Sequence, residues 1–257
     1  MTAELKKKRL QANFAIAIVV AFLLLLGIAF AAVPEGPQTI TVLNSTAKTP
    51  ASAASVDAIG GNITSLNIDG TSSTQTWQGY VGNISGTLTL DDSAGFTLYN
   101  WTLANPEGEI YASNSSQIDF SDGNVECYNY TRTGGGYLDL AAYEASLGLA
   151  GDDVDGINET FILGETYSPF YVGEALINKA CPEVQLFNAA GEKNPDDFQE
   201  VLLYDTAANA IIFTALIEEG GTLGYNTQRW DFQMIVAENG RSGDRDPTTY
   251  YFFVELE

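Results

Sequence analysis

Short runs of alternating or unbroken apolar residues fill the chain from Asn62 to Glu257, separated by Gly, Asp, Asn and Pro. They read NITSLNID, TWQGYVG, SGTLTLDD, FTLYNWTL, VECYNYT, EVQLFN, QEVLLYD, AIIFTALIE, RWDFQMIVAE and TYYFFVELE. All are rich in the β-branched and aromatic residues that suit a pleated surface, so each predicts a strand. Ile84, Leu88 and Leu90 alternate with Ser85, Thr87 and Thr89, the pattern of a strand with one wet face. AIIFTAL is apolar almost throughout, which predicts a central strand covered on both sides. DDSAG (91–95) and DTAAN (205–209) predict hairpin connections. One stretch has helical spacing: Leu140, Tyr143 and Leu147 fall at i, i+3, i+7, with Gly148 or Gly151 to end the helix. The expected class is all-β, a β-sandwich of roughly eight to ten strands with one short helix at an edge or end.

The N-terminus has a different pattern. Phe14 to Val33 is 20 residues without a charge, directly after the basic cluster Lys6, Lys7, Lys8 and Arg9. At about 1.5 Å per residue a helix of that length covers the bilayer's hydrocarbon core of about 30 Å. The basic flank belongs on the cytoplasmic side, which places the rest outside. Two readings compete. An uncleaved signal anchor fits the length of the run, which exceeds a secretory h-region of roughly 7–15 residues. A cleaved signal peptide fits Ala29-Phe30-Ala31 as a small-x-small site. Either reading exports residues 34–257. The expected organisation is a signal anchor or signal peptide at 1–33, a stalk at 34–61 and an extracellular β domain at 62–257. The stalk is rich in Ser, Thr, Ala and Pro and lacks the large apolar residues that offset ordering entropy. Within it, QTITVLN (38–44) alternates like a strand. It is either the first part of the stalk or a candidate donor for a sheet edge in its own domain or a neighbouring copy, with TYYFFVEL bordering the groove that accepts it.

Charge and composition narrow the chemistry. The net charge is −22, and beyond Val33 there are seven Lys and Arg against 32 Asp and Glu. Such a surface repels nucleic acid. The absence of histidine excludes Ser-His-Asp and Cys-His catalysis and histidine metal sites. Seven N-x-[ST] sequons occur, at Asn44, Asn62, Asn83, Asn100, Asn114, Asn129 and Asn158. Chance gives about two or three, so in an exported chain they predict N-linked glycans. Cys127 and Cys181 are the two cysteines, an even count that predicts a disulfide outside the cell, with two buried free thiols as the alternative.

Several candidate sites are thinner. In GDDVDGINE, Asp153 and Asp155 fall at calcium-loop positions if Gly156 takes the sharp turn, but Gly151 and Ile162 then occupy both end-ligand positions. No EF-hand is expected. An irregular Ca²⁺ loop built on Asp152, Asp153 and Asp155 is the one cofactor candidate. Asp196-Asp197 and Asp244/Asp246 are carboxylate pairs of the kind glycosidases use, and acidic residues are common enough here for such pairs to arise freely. Trp77, Trp101 and Trp230 read as core or hairpin anchors, or alternatively as a sugar-stacking platform.

The basic N-terminal flank and apolar helix, the sequon density, the acidity and the run DFQMIVAENG…TTYYFFVEL together resemble exported, N-glycosylated, β-rich surface proteins of archaea. The resemblance carries no catalytic motif, so it transfers no functional residue. It implies a cell envelope and a non-enzymatic structural or adhesive role, with the bilayer (through 14–33), glycans and other copies of the chain as partners. A stalked carbohydrate- or ligand-binding module is the alternative, recognisable by an exposed row of aromatics. An exported carboxylate-dependent hydrolase is the third reading, recognisable by two close acids in a cleft.

Overall fold

The structure, a computed structural model, describes residues 33–257 apart from Asp122, Thr133, Glu165, Thr166, Lys179 and 241–245. The basic cluster, the apolar segment up to Ala32, the Ala29–Ala31 cleavage candidate and Asp244 therefore lie outside the described residues. Among the described residues no helix is long and apolar enough to cross a membrane.

Val33–Glu257 is mostly β. In chain order its strands are β1 (Trp77–Gly82), β2 (Thr87–Asp91), β3 (Thr97–Thr102), β4 (Gly108–Ser113), β5 (Val125–Cys127), β6 (Phe170–Val172) and β7 (Ala175–Ile177). Then follow β8 (Glu183–Gln185), β9 (Gln199–Asp205), β10 (Ala210–Leu216), β11 (Thr222–Leu223), β12 (Arg229–Trp230), β13 (Phe232–Ala237) and β14 (Tyr251–Leu256). Two helices, α1 (Leu140–Ser146) and α2 (Ile157–Thr160), lie between β5 and β6. Eight of the described strands have five residues or more, and six have two or three.

The central sheet is antiparallel, in the order β14-β4-β10-β9. Two short strands share the far edge of β9. β8 pairs with Gln199–Val201, and β5 pairs with Leu203–Asp205. The disulfide Cys127–Cys181, with Cα atoms 5.0 Å apart, ties the end of β5 to the residues just before β8. It thereby clamps both halves of that edge.

Side chains on this sheet alternate between two buried faces. Ile110, Ala112, Leu202, Tyr204, Ile211 and Phe213 share one face, which packs against the antiparallel β1–β13 ribbon and α1. Trp77 on β1 meets the Phe213 ring edge-on at 6.2 Å, and Tyr80 meets Phe252 at 5.2 Å. Tyr111, Val201, Leu203 and Ile212 share the other face, beneath the β6–β7 hairpin with Phe170, Val172 and Ile177. Every residue of β9 is buried, and AIIFTAL is buried through Ala215, so it forms the expected central strand. α1 begins on Asp139, whose carboxylate accepts the Ala141 N–H at 3.1 Å, and ends where Gly148 turns to φ 75°.

Four features depart from the sequence pattern. NITSLNID forms no strand: residues 62–69 have no regular secondary structure and are exposed. RWDFQMIVAE divides into β12 and β13 at Asp231, whose side chain accepts the Ile84 N–H at 2.7 Å instead of facing a core. The acidic stretch GDDVDG leads into a second helix, α2. β4, in the middle of the sheet, was not foreseen. Its polar residues Glu109 and Ser113 sit where a core strand normally carries apolar ones. Gly108 starts that strand with φ 118°, and a Cβ there would lie 2.1 Å from the Glu255 carbonyl oxygen, so only glycine lets β14 close on β4.

Candidate functional site

Large apolar side chains left in water concentrate in two places. The first is the β2–β3 hairpin, every residue of which is exposed. Cross-strand pairing sets Leu88 against Trp101 and Leu90 against Tyr99, so these four residues share one face. Tyr99 and Trp101 are 60% and 50% exposed, with ring centroids 4.9 Å apart at 63°. Thr87, Thr89, Asn100 and Thr102 lie on the opposite face, and Leu98, 80% exposed, sits at the register shift between Tyr99 and Thr97. The turn is well built: the Asp92 carboxylate accepts the Ala94 and Phe96 N–H groups, each at 2.9 Å, and Gly95 takes φ 83°. The second place is the arm from Val33 to Thr74. Glu35 bridges to Val254, with N–H to O distances of 3.0 and 2.8 Å. Beyond it the segment 38–74 forms no strand, and Ile40, Val42 and Leu43 are 62%, 79% and 86% exposed.

Buried acids form a separate cluster beneath β6–β7. Glu109 and Glu255 face each other across β4 and β14, each almost fully buried. Glu255 accepts the Tyr111 hydroxyl at 2.9 Å and the Gly173 N–H at 3.0 Å. Among the described residues Glu109 Oε2 has no hydrogen-bond partner. Burial, reinforced by the charges of Glu255 and Glu257, pushes the Glu109 carboxyl up to about 9. It is therefore a neutral acid at pH 7. Burial also raises Glu255, and the Gly173 and Tyr111 donors oppose the rise. On the other face Glu200 is fully buried, accepts the Ile235 N–H at 2.9 Å, and is raised well above the carboxylate range by burial. These acids close a core around β4, β9 and β14.

A cavity of about 500 Å³ opens beside α1, lined by Tyr128, Tyr130, Arg132, Tyr137, Asp139, Glu144 and Asn158 among others. Its polar groups are committed to the fold. Tyr128 and Tyr130 donate to the Leu138 and Phe161 carbonyls at 2.8 and 2.6 Å. Glu144 accepts the Ile157 and Asn158 N–H groups at 2.7 and 3.2 Å, and so caps α2. Arg132 pairs with Glu126 and lies 4.6 Å over the Tyr137 ring.

The sites expected from sequence disperse over the domain. All seven sequon asparagines are exposed: Asn44 and Asn62 on the arm, Asn83 before β2, Asn100 on β3, Asn114 after β4, Asn129 after β5 and Asn158 in α2. Asp155 accepts the Thr74 and Thr76 hydroxyls at 2.8 and 3.3 Å, its carbonyl accepts Trp77 Nε1–H at 2.8 Å, and so it anchors the start of β1. Asp153 accepts the Ala150 N–H at 2.7 Å, and Asp152 is exposed. Among the described residues no group of three or more acids or cysteines is placed to hold a metal ion. Asp197 accepts the Asn194 side-chain amide at 2.7 Å, and Asp196 and Asp246 are exposed. Of the three tryptophans, Trp77 packs into the core and Trp230 donates to Asn226 at 2.9 Å, while Trp101 alone stands on the exposed hairpin. Sequence reasoning missed the Glu109–Glu255 pair and the partner role of Tyr99. The alternation Tyr99-Asn100-Trp101 carried the signal for the second.

Compared with family models, curated proteins and solved structures, the chain matches none.

Proposed function

We propose that this chain is an exported surface glycoprotein with a non-enzymatic, structural or adhesive role in the cell envelope, its domain a β-sandwich. Phe14–Val33 holds it to the bilayer, or directs its export before cleavage near Ala31, and the β domain lies outside. The observation that carries the reading is the exposure of all seven sequon asparagines, on arm, loop, strand and helix alike. An oligosaccharyltransferase needs that access, and of the nine other described asparagines five, Asn124, Asn188, Asn194, Asn226 and Asn239, are only partly exposed. The disulfide suits the same compartment. Glu255, Glu144 and the tyrosines of the cavity support a structural role, because their polar groups already hold a hairpin and helix ends in place. The second reading, a stalked carbohydrate-binding module, rests on Tyr99 and Trp101. It is the weaker one, because a 63° angle between the rings gives a sugar no common flat platform.

The test is intact-mass measurement of protein from the native host, together with protease shaving of whole cells. Glycan mass on several sequons and cleavage of the domain in unbroken cells are expected. Bare polypeptide mass, or protease access only after lysis, would sink the reading.

A further inference from the structure

The exposed arm and the exposed hairpin answer one another. We infer that Gln38–Leu43 of one copy adds to the free edge of β3 in a second copy, antiparallel to it, completing a three-stranded sheet between molecules. This deepens the surface-protein reading and rests on it.

Along β14 of its own chain the arm finds no further strand to join. Glu35 and Val254 form a hydrogen-bonded antiparallel pair, so the next such pair along that edge would be Pro37 with Phe252. Pro37 has no N–H to give, and the ladder stops. Counting onward in the same register sets Ile40 opposite residue 249 and Val42 opposite Pro247, both before β14 begins at Tyr251. The arm has run off the strand.

The hairpin lacks what the arm supplies. A two-stranded ribbon is marginal in water, and a third strand with an apolar face gives it independent stability. Leu88, Leu90, Tyr99 and Trp101 leave roughly 400 Å² of apolar surface in water, within the range of functional patches. Ile40 and Val42, two residues apart, reach the same face of an added strand. With Ile40 opposite Trp101 and Val42 opposite Tyr99, Gln38–Leu43 runs along residues 98–103, five of them in β3.

Charge selects the same pairing and its direction. In a molecule of net charge −22, copies repel, and residues 36–47 carry no charge at all. Lys48 follows them, and Asp91 and Asp92 stand at the turn of the hairpin. An arm antiparallel to β3 brings its C-terminal end to that turn, and so Lys48 to the two aspartates. Asn100 points from the opposite face, so a glycan there leaves the apolar face open. Each copy offers one arm and one hairpin, so the contact is head-to-tail and can propagate.

The experiment uses the full chain in mild detergent, with two variants. Ile40→Asp/Val42→Asp spoils the arm and keeps the hairpin, while Trp101→Asp spoils the hairpin and keeps the arm. Wild type should form concentration-dependent oligomers by analytical ultracentrifugation. Each variant alone should associate at least about tenfold more weakly, and an equal mixture of the two should give a capped dimer. Oxidation of a mixture of differently tagged Val42→Cys and Tyr99→Cys chains should link the two tags, and a Glu192→Cys partner should not. Monomeric wild type, oligomers that survive both variants, or a mixture that stays monomeric would overturn the inference. So would a disulfide formed only within a chain carrying both cysteines, or retention of wild type but not Trp101→Asp on a β-glucan column without self-association. A wild-type near-ultraviolet circular dichroism spectrum and a cooperative melting transition show that each variant has folded. Failure of the pairing leaves surface display intact, and a chain absent from the surface can still pair when purified, so the two proposals fail separately.

Discussion

Replacing Glu109 with Gln should stabilise the protein at neutral pH and leave it nearly unchanged in acid. Glu109 is 4% exposed and one of its oxygens has no hydrogen-bond partner among the described residues. Burial raises its carboxyl from an ordinary value of 4.5 to about 9. Between those values the folded state holds a proton that the unfolded chain releases, so stability falls as pH rises. Its contribution is fully present below about 4.5 and is lost progressively toward about 9. At pH 7 the cost reaches at most about 2.5 pH units at ~1.4 kcal/mol each, or about 3.5 kcal/mol. Gln keeps the shape, removes the charge and abolishes this slope. For a domain of this size about 2–3 kcal/mol corresponds to a Tm increase of roughly 5–10 °C. The assay is thermal unfolding by circular dichroism from about pH 5 to pH 8, with Glu192→Gln as control. Glu192 is exposed, so its replacement makes the same carboxyl-to-amide change without relieving a buried site. A variant Tm that falls with pH as steeply as wild type, or a control that stabilises as much as Glu109→Gln, would refute the reasoning.

Replacing Cys127 and Cys181 together with Ser should cost about 4 kcal/mol in the loop-entropy account, since the bridge spans 54 residues, and reductant should lower the wild-type Tm comparably. Gly108→Ala should destabilise by at least about 2 kcal/mol, because the new Cβ meets the Glu255 carbonyl and φ 118° disfavours any side chain; hydrogen exchange should show β14 released first.

Much of the fold was legible. QEVLLYD and AIIFTAL form the two central strands because apolar runs of that length, bounded by turn residues, have few other ways to leave water. The DDSAG and DTAAN turns, the Asp139–Gly148 limits of α1 and the cysteine pair were readable because they depend on local chemistry. β4 was not, since a buried Glu and Ser break its pattern and only contacts from β14 and the β6–β7 hairpin make them tolerable. NITSLNID failed in the opposite sense: its alternation suits a strand, and no partner edge lies beside it. The surface patch was half legible, as Trp101 stood out while its neighbours on the same face depended on register.

The sequence by itself determined the composition of the surface and the local elements: seven sequons, a strongly acidic exterior, no histidine, and a set of short strands with one clear helix. Those properties belong to single residues and their near neighbours. Tertiary structure decided which strands pair, that β5 and β8 share one edge of β9, that Glu109 lies against Glu255, and that the β2–β3 face and the arm stay in water. Pairing joins residues far apart in the chain. A given alternation fits many edges equally well, and only the packing of the whole domain settles which are filled and which are left open.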